Sequence, residues 1–159
     1  MATSGTAVVS LPSDTEIMIT REFEAPPHLV YRAWTSPDLV RRWWAGQRGR
    51  VTSAEIDLRV GGRWRFVMVT PKDFEVAFHG EYRELVPGER IVSTEVYEAV
   101  PDAPALNTLV LTDLGGRTRL VIISRHTSPA HRDAVIASGM EGGMQEALDL
   151  LEQTAIALG

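Results

Sequence analysis

The C-terminal stretch Ser138–Leu158, SGMEGGMQEALDLLEQTAIAL, decides how the rest of the chain has to fold. From its third residue onward, Met140, Met144, Ala147, Leu148, Leu151, Ala155 and Leu158 recur on one stripe of an α-helix. A helix of that length with a single apolar face needs a large apolar surface to lie on. Its opening is unusual, because Gly139, Gly142 and Gly143 cluster where each glycine costs an exposed helix roughly 0.5–1 kcal/mol relative to alanine. With Met140 taken as the inward direction, Gly143 falls near the edge of the inward stripe and Gly139 just beyond it. Gly142 points roughly the opposite way. Gly143, with Gly139 beside it, therefore leaves space between the helix and its platform, and Met140 and Met144 supply soft, adaptable walls for that space. The same cluster also reads as a break between Ser138 and Gly143 that separates the first turns from the long helix.

The platform is legible upstream. Thr15–Phe23 alternates Ile17, Ile19 and Phe23 with polar neighbours, the pattern of a half-buried strand. Pro26-Pro27 opens a short helix carrying Leu29, Val30, Ala33 and Trp34 at helical spacing. Ser36-Pro37-Asp38 places a cap, an N1 proline and a first-turn acid in sequence, so a second short helix follows at once and ends at Gly46. The period then changes to two, with strands expected at Arg50–Leu58, Arg63–Thr70, Glu75–Leu85, Arg90–Glu98, Leu106–Asp113 and Thr118–His126. Gly61-Gly62, Pro87-Gly88 and Gly115-Gly116 make the connections between them short, which implies an antiparallel meander. Ser128-Pro129 caps and launches the final helical segment. One strand, two short helices, six strands and a long helix describe an α+β layer architecture in which the concave sheet face is the helix's platform.

Composition narrows the functional classes. The 159 residues suit one domain, with residues 1–14 read as a flexible N-terminal tail and 15–158 as the folded unit. The tail lacks the basic and apolar regions of a signal peptide, and no apolar run approaches the 18 or so residues of a membrane span. The formal net charge of −5 argues against a nucleic-acid or anionic-membrane surface. The absence of cysteine removes thiolate catalysis, cysteine metal sites and disulfides, and fits a reducing cytoplasm.

Four segments in order, REFEAPPHLVYRAWTSPDLVRRWW (Arg21–Trp44), VGGRWRF (Val60–Phe66), HGEYRELVPGERIV (His79–Val92) and SRHTSPAHRDAVIASGMEGGMQEAL (Ser124–Leu148), carry a family resemblance. The chain resembles the bacterial branch of the heat-shock-protein-90 ATPase activator homologue family, within the START-like (SRPBCC, helix-grip) superfamily, over roughly residues 15 to 157. The resemblance implies a curved seven-stranded antiparallel sheet gripping a long C-terminal helix, with a cavity between them. It also implies a function drawn from what such domains do: binding lipids, hormones or polyketides, cyclising polyketides, or sequestering toxic natural products. A family signature that often reads Gly-Met-Glu-Glu-Gly-Trp is here Gly-Met-Glu-Gly-Gly-Met, Gly139 to Met144, with Met144 in place of a large ring.

In a helix-grip fold, core and ligand wall are one surface, so the candidate ligand-binding residues are the inward rings and the helix opening. Trp43 and Trp44 either cap the core and pack under a loop, or line the cavity mouth. Trp64 and Phe66 share one strand face, and Phe78 and Tyr82 share another, with Tyr97 presenting its hydroxyl in the same way. Met140, Gly143 and Met144 complete the set. Polar candidates for chemistry are few. His79, Glu81 and Arg83 lie opposite Phe78 and Tyr82 and read as a solvated outer face. His126 and His131 are five apart rather than four and read as surface residues, not a helical metal pair. Glu55 and Asp57 alternate onto one strand face, also read as solvated. No nucleophile elbow, phosphate loop or dinucleotide fingerprint occurs. The expectation is a binder of an apolar or aromatic small molecule, monomeric or homodimeric, with no catalytic residue, metal or cofactor assigned. A self-sacrifice resistance protein is one version; a cyclase- or hydrolase-like enzyme and a chaperone-associated stress protein are the alternatives.

Overall fold

The computed structural model describes residues 6–159. Strands β1 (Val8–Ser10) and β2 (Glu16–Phe23) lead into helices α1 (Pro27–Thr35) and α2 (Pro37–Trp43). Six strands follow: β3 (Arg50–Ile56), β4 (Arg63–Val69), β5 (Glu75–Val86), β6 (Arg90–Tyr97), β7 (Ala105–Asp113) and β8 (Thr118–Arg125). Helices α3 (Pro129–Ala137) and α4 (Met140–Leu158) close the chain. The strands form one sheet in the order β1-β2-β8-β7-β6-β5-β4-β3, antiparallel throughout, and α4 lies across its concave face together with α1 and α2.

The sheet has eight strands rather than the seven expected. The extra one, β1, comes from the stretch read as a tail: Val8 pairs with Thr20 and Ser10 with Met18. Without it β2 would be an open edge. Ala7 is also tied to α4, donating its N–H to Gln145 Oε1 (3.1 Å) and accepting from Gln145 Nε2 (2.7 Å). Three residues carry too little alternation to announce a strand, and the tie to Gln145 exists only after α4 has docked. The first five residues of the expected tail lie outside the described residues.

The final helical segment is two helices. Ser128 accepts the His131 N–H to cap α3, which buries none of its side chains. Gly139 at φ 83° then turns the chain through a left-handed conformation before α4 starts. The break expected between Ser138 and Gly143 thus sits at Gly139.

Below that break α4 packs in two different ways. Leu148, Leu151 and Ala155 are buried against Phe23, Val30 and Leu120. Glu152 is fully buried on the same stripe and faces Arg21, which shares the inward face of β2 with Ile17, Ile19 and Phe23. Arg21 Nη2 donates to Glu152 Oε1 at 3.0 Å and Nη1 to Asp149 Oδ1 at 2.6 Å, while Glu152 Oε2 accepts the Glu24 N–H at 2.9 Å. Both charges are paired and hydrogen-bonded, the condition under which burying them is tolerable.

Candidate functional site: a two-chambered cavity

Above Leu148 the helix lifts away from the sheet and a cavity of about 550 Å³ opens, within the roughly 300–1,000 Å³ range of ligand pockets. A second chamber of about 520 Å³ adjoins it, and Val76, Phe78, Glu95, Ser124, Ser138 and Met140 border both.

The first chamber is aromatic. Trp44 meets Phe66 and Phe78 edge-on at centroid distances of 5.5 and 5.7 Å, and Trp64 tilts against Phe66 at 4.9 Å. Trp43 also borders it, but its ring is buried against Trp34 and its Nε1–H donates to the Ala33 carbonyl at 2.9 Å. Of the tryptophan pair, then, Trp43 serves the core and Trp44 the open wall. Tyr82 reaches the chamber from β5, where burial, with a smaller contribution from Tyr31, pushes its phenol well above the usual range. Met140, Gly143 and Met144 form the helix side. A side chain at Gly143 would meet nothing within 4 Å, so this glycine does border open space. Tyr97 lies in the second chamber, stacked on Phe78 at 5.0 Å.

Gly142 has a different reason for being glycine. A Cβ there would fall 2.6 Å from Arg48 Nη2. Arg48 donates to Glu146 Oε1 at 3.2 Å, and the same oxygen accepts the Gln47 N–H at 3.1 Å. The loop after α2 is thereby strapped over the N-terminal turns of α4, and the bare surface at Gly142 lets the arginine lie flat.

Polar residues divide between the two sheet faces. On the outer face Arg65 holds Glu98 through two bonds of 2.9 Å and His79 Nδ1 joins at 2.8 Å, so hydrogen bonds from Arg65 and then His79 pull the Glu98 carboxyl down to about 2. Glu81 pairs there with Arg83 at 3.4 Å. His79 and Glu81 are thus remote from the cavity.

The reading of His126 and His131 as surface residues is corrected. His126 is 9 % exposed, stands edge-on to His131 at 5.2 Å, and both line the second chamber. Burial, with the nearby charges of His131 and Arg132, holds His126 toward its neutral form. The strand ends where β8 meets the Thr15 carbonyl, and His126 keeps the inward parity of Ile122 and Ser124 one step further.

Sequence reasoning missed the polar group inside the cavity. Glu95 projects inward from β6 and accepts from Asn107 Nδ2 at 2.9 Å. Burial raises its pKa, partly offset by that hydrogen bond. The signal lies in strand parity, because Glu95 and Ser93 share the face of β6 that carries Tyr97. Among the described residues no group of three or more His, Asp or Glu side chains is arranged to hold a metal, and no helix is long and apolar enough to cross a membrane.

A curved antiparallel sheet gripping a C-terminal helix over an apolar cavity is the architecture of a helix-grip, START-like domain. The family model described as "Activator of Hsp90 ATPase homolog 1-like protein" matches residues 24–155, and the chain belongs to that family. Among solved structures, a Rhodobacter sphaeroides protein is 28 % identical, with a TM-score of 0.88, covering 95 % of this chain and 99 % of its own. A Chromobacterium violaceum protein is 27 % identical with a TM-score of 0.77, over 90 % of this chain and 98 % of its own. An AHSA1-like protein from Aeromonas hydrophila, 23 % identical with a TM-score of 0.65 over 89 % and 94 %, shares the fold. No curated protein matches the sequence.

Proposed function

We propose that this protein binds an apolar or aromatic small molecule, of lipid- or polyketide-like size, between its sheet and α4. The observation that carries the reading is the pair of adjoining chambers walled by Trp44, Phe66, Phe78 and the Met140–Met144 turn. Titration with the neutral apolar dye diphenylhexatriene tests it: saturable fluorescence at one dye per chain is expected, weakened at least tenfold by Gly143→Leu, which fills the wall. A dye signal that never saturates, or that ignores the substitution, overturns the reading.

A finer version is capture of a reactive natural product with self-sacrifice of the chain. Gly143 supports it, since its backbone borders the cavity with no side chain in the way. Mass spectrometry after incubation with an enediyne decides, and an intact chain rules this version out. A second reading, a cyclase- or hydrolase-like enzyme, is favoured by one observation: Glu95 is a carboxyl inside the cavity with an upward-shifted pKa, the state that suits proton transfer. It requires turnover that disappears in Glu95→Gln, and turnover retained by that variant removes the assignment.

A further inference from the structure

The inward faces of β6, β7 and β8 carry a polar row across an otherwise apolar wall. Ser93 pairs with Asn107, and Asn107 with Ser124, in direct register. Glu95 stands two residues along β6 from Ser93, at the junction bordered by both chambers. Its cross-strand neighbours are small: Ala105 on β7, and on β5 Gly80, which the flanking pairs His79↔Val96 and Tyr82↔Ser93 set opposite it. Neither directly opposed residue covers the carboxyl, although the Trp64 indole lies over Gly80, its Nε1 2.6 Å from where a Cβ there would sit; Glu95 is half-buried and borders both chambers.

What the carboxyl lacks is a counter-charge. Asn107, its hydrogen-bond partner, is neutral, and among the described residues no cation contributes to the titration of Glu95. Arg48, the basic residue at the aromatic chamber, is engaged by Glu146. His126 is held toward neutrality, and neither it nor His131, both in the second chamber, contributes to the titration of Glu95. A carboxylate withdrawn from water without a cation is costly, and an incoming ammonium removes that cost while forming a charge-assisted hydrogen bond. The surrounding rings add to the attraction. Phe78 borders the same junction, with Tyr97 stacked on it at 5.0 Å and Trp44 at 5.7 Å, and aromatic faces draw organic cations. A neutral hydroxyl ligand would donate to Glu95 but would leave the charge unbalanced.

Resting on the cavity reading above, we propose that the ligand carries an ammonium group on its apolar or aromatic body. Glu95 recognises that group at the junction of the chambers, and Asn107 orients the carboxylate toward it. The formal net charge of −5 favours the approach of such a cation.

The test is competition against bound diphenylhexatriene by two probes of matched shape, naphthylmethylamine (an ammonium at neutral pH) and naphthylmethanol (neutral). The amine should displace the dye at a concentration at least tenfold lower than the alcohol. Glu95→Gln, nearly isosteric and still able to accept from Asn107, should bring the displacing concentrations of amine and alcohol within about twofold of each other. Equal displacement by the two probes in the wild type, or an amine preference that survives in Glu95→Gln, overturns the proposal while the cavity reading stands. Failure of the dye and both probes to bind overturns both.

Discussion

The two halves of α4 solve opposite problems with the same helical stripe. From Leu148 to Ala155 the helix is seated on the sheet, with Leu148, Leu151 and Ala155 buried and Glu152 locked to Arg21. From Met140 to Met144 it carries glycine and methionine along open space, with Met140 and Met144 only partly buried against the core, and the Arg48–Glu146 and Ala7–Gln145 ties hold the turn that follows. One half is a packed core that resists change, as interiors at crystal-like density do. The other gives up packing to keep a volume that a ligand can occupy. The comparison locates stability and binding on one element, about one helical turn apart.

Substitutions should expose that asymmetry. The largest effect is expected for Glu152→Ala, which leaves Arg21 charged and buried without its inner partner. It should destabilise by about 3–5 kcal/mol in urea unfolding. A cost below about 1 kcal/mol would mean the pair is not the anchor of this half. Leu151→Ala should cost about 2–5 kcal/mol, whereas Met144→Ala, beside space that already exists, should cost about 1 kcal/mol or less. Similar losses at the two positions would erase the distinction between the halves.

Smaller and of opposite sign is Gly143→Ala. Its Cβ meets nothing within 4 Å, so it should stabilise by roughly 0.5–1 kcal/mol through the backbone alone. The smallest effect concerns Glu95. Its folded pKa is raised, so the charged form penalises the native state above that value, whereas below the unfolded pKa of about 4.3 the group is protonated in both states. Glu95→Gln should therefore raise the melting temperature of the ligand-free protein at about pH 8 and leave it unchanged below about pH 4. Equal melting temperatures of variant and wild type at both pH values would show that Glu95 is not desolvated. Glu98 behaves oppositely. With its pKa pulled down to about 2, it contributes stability that is present above its unfolded value and lost as pH falls from there toward 2.

Much of this was readable from residue order. The stripe on α4, the capped short helices and the period-two segments specify a sheet that grips a helix, because periodicity encodes which face of an element is apolar. The inward rings followed from the same parity. Glu95 is equally legible, two residues from Tyr97 on one strand face, although parity alone does not say that a carboxyl facing inward meets a cavity rather than core. Arg21 is similar: its parity with Ile19 and Phe23 already placed it inward.

What no spacing could supply is partnership across distance. That Glu152 lies opposite Arg21, that Arg48 settles on Gly142, that three residues of an apparent tail pair with β2, and that His131 meets His126 across a second chamber all depend on elements meeting after they fold. The amino-acid order determined which face of each strand and helix must leave water. The docking of α4 on the sheet decided where those faces close into core and where they stay apart, because packing and ion pairing are properties of the assembled surfaces rather than of any one element.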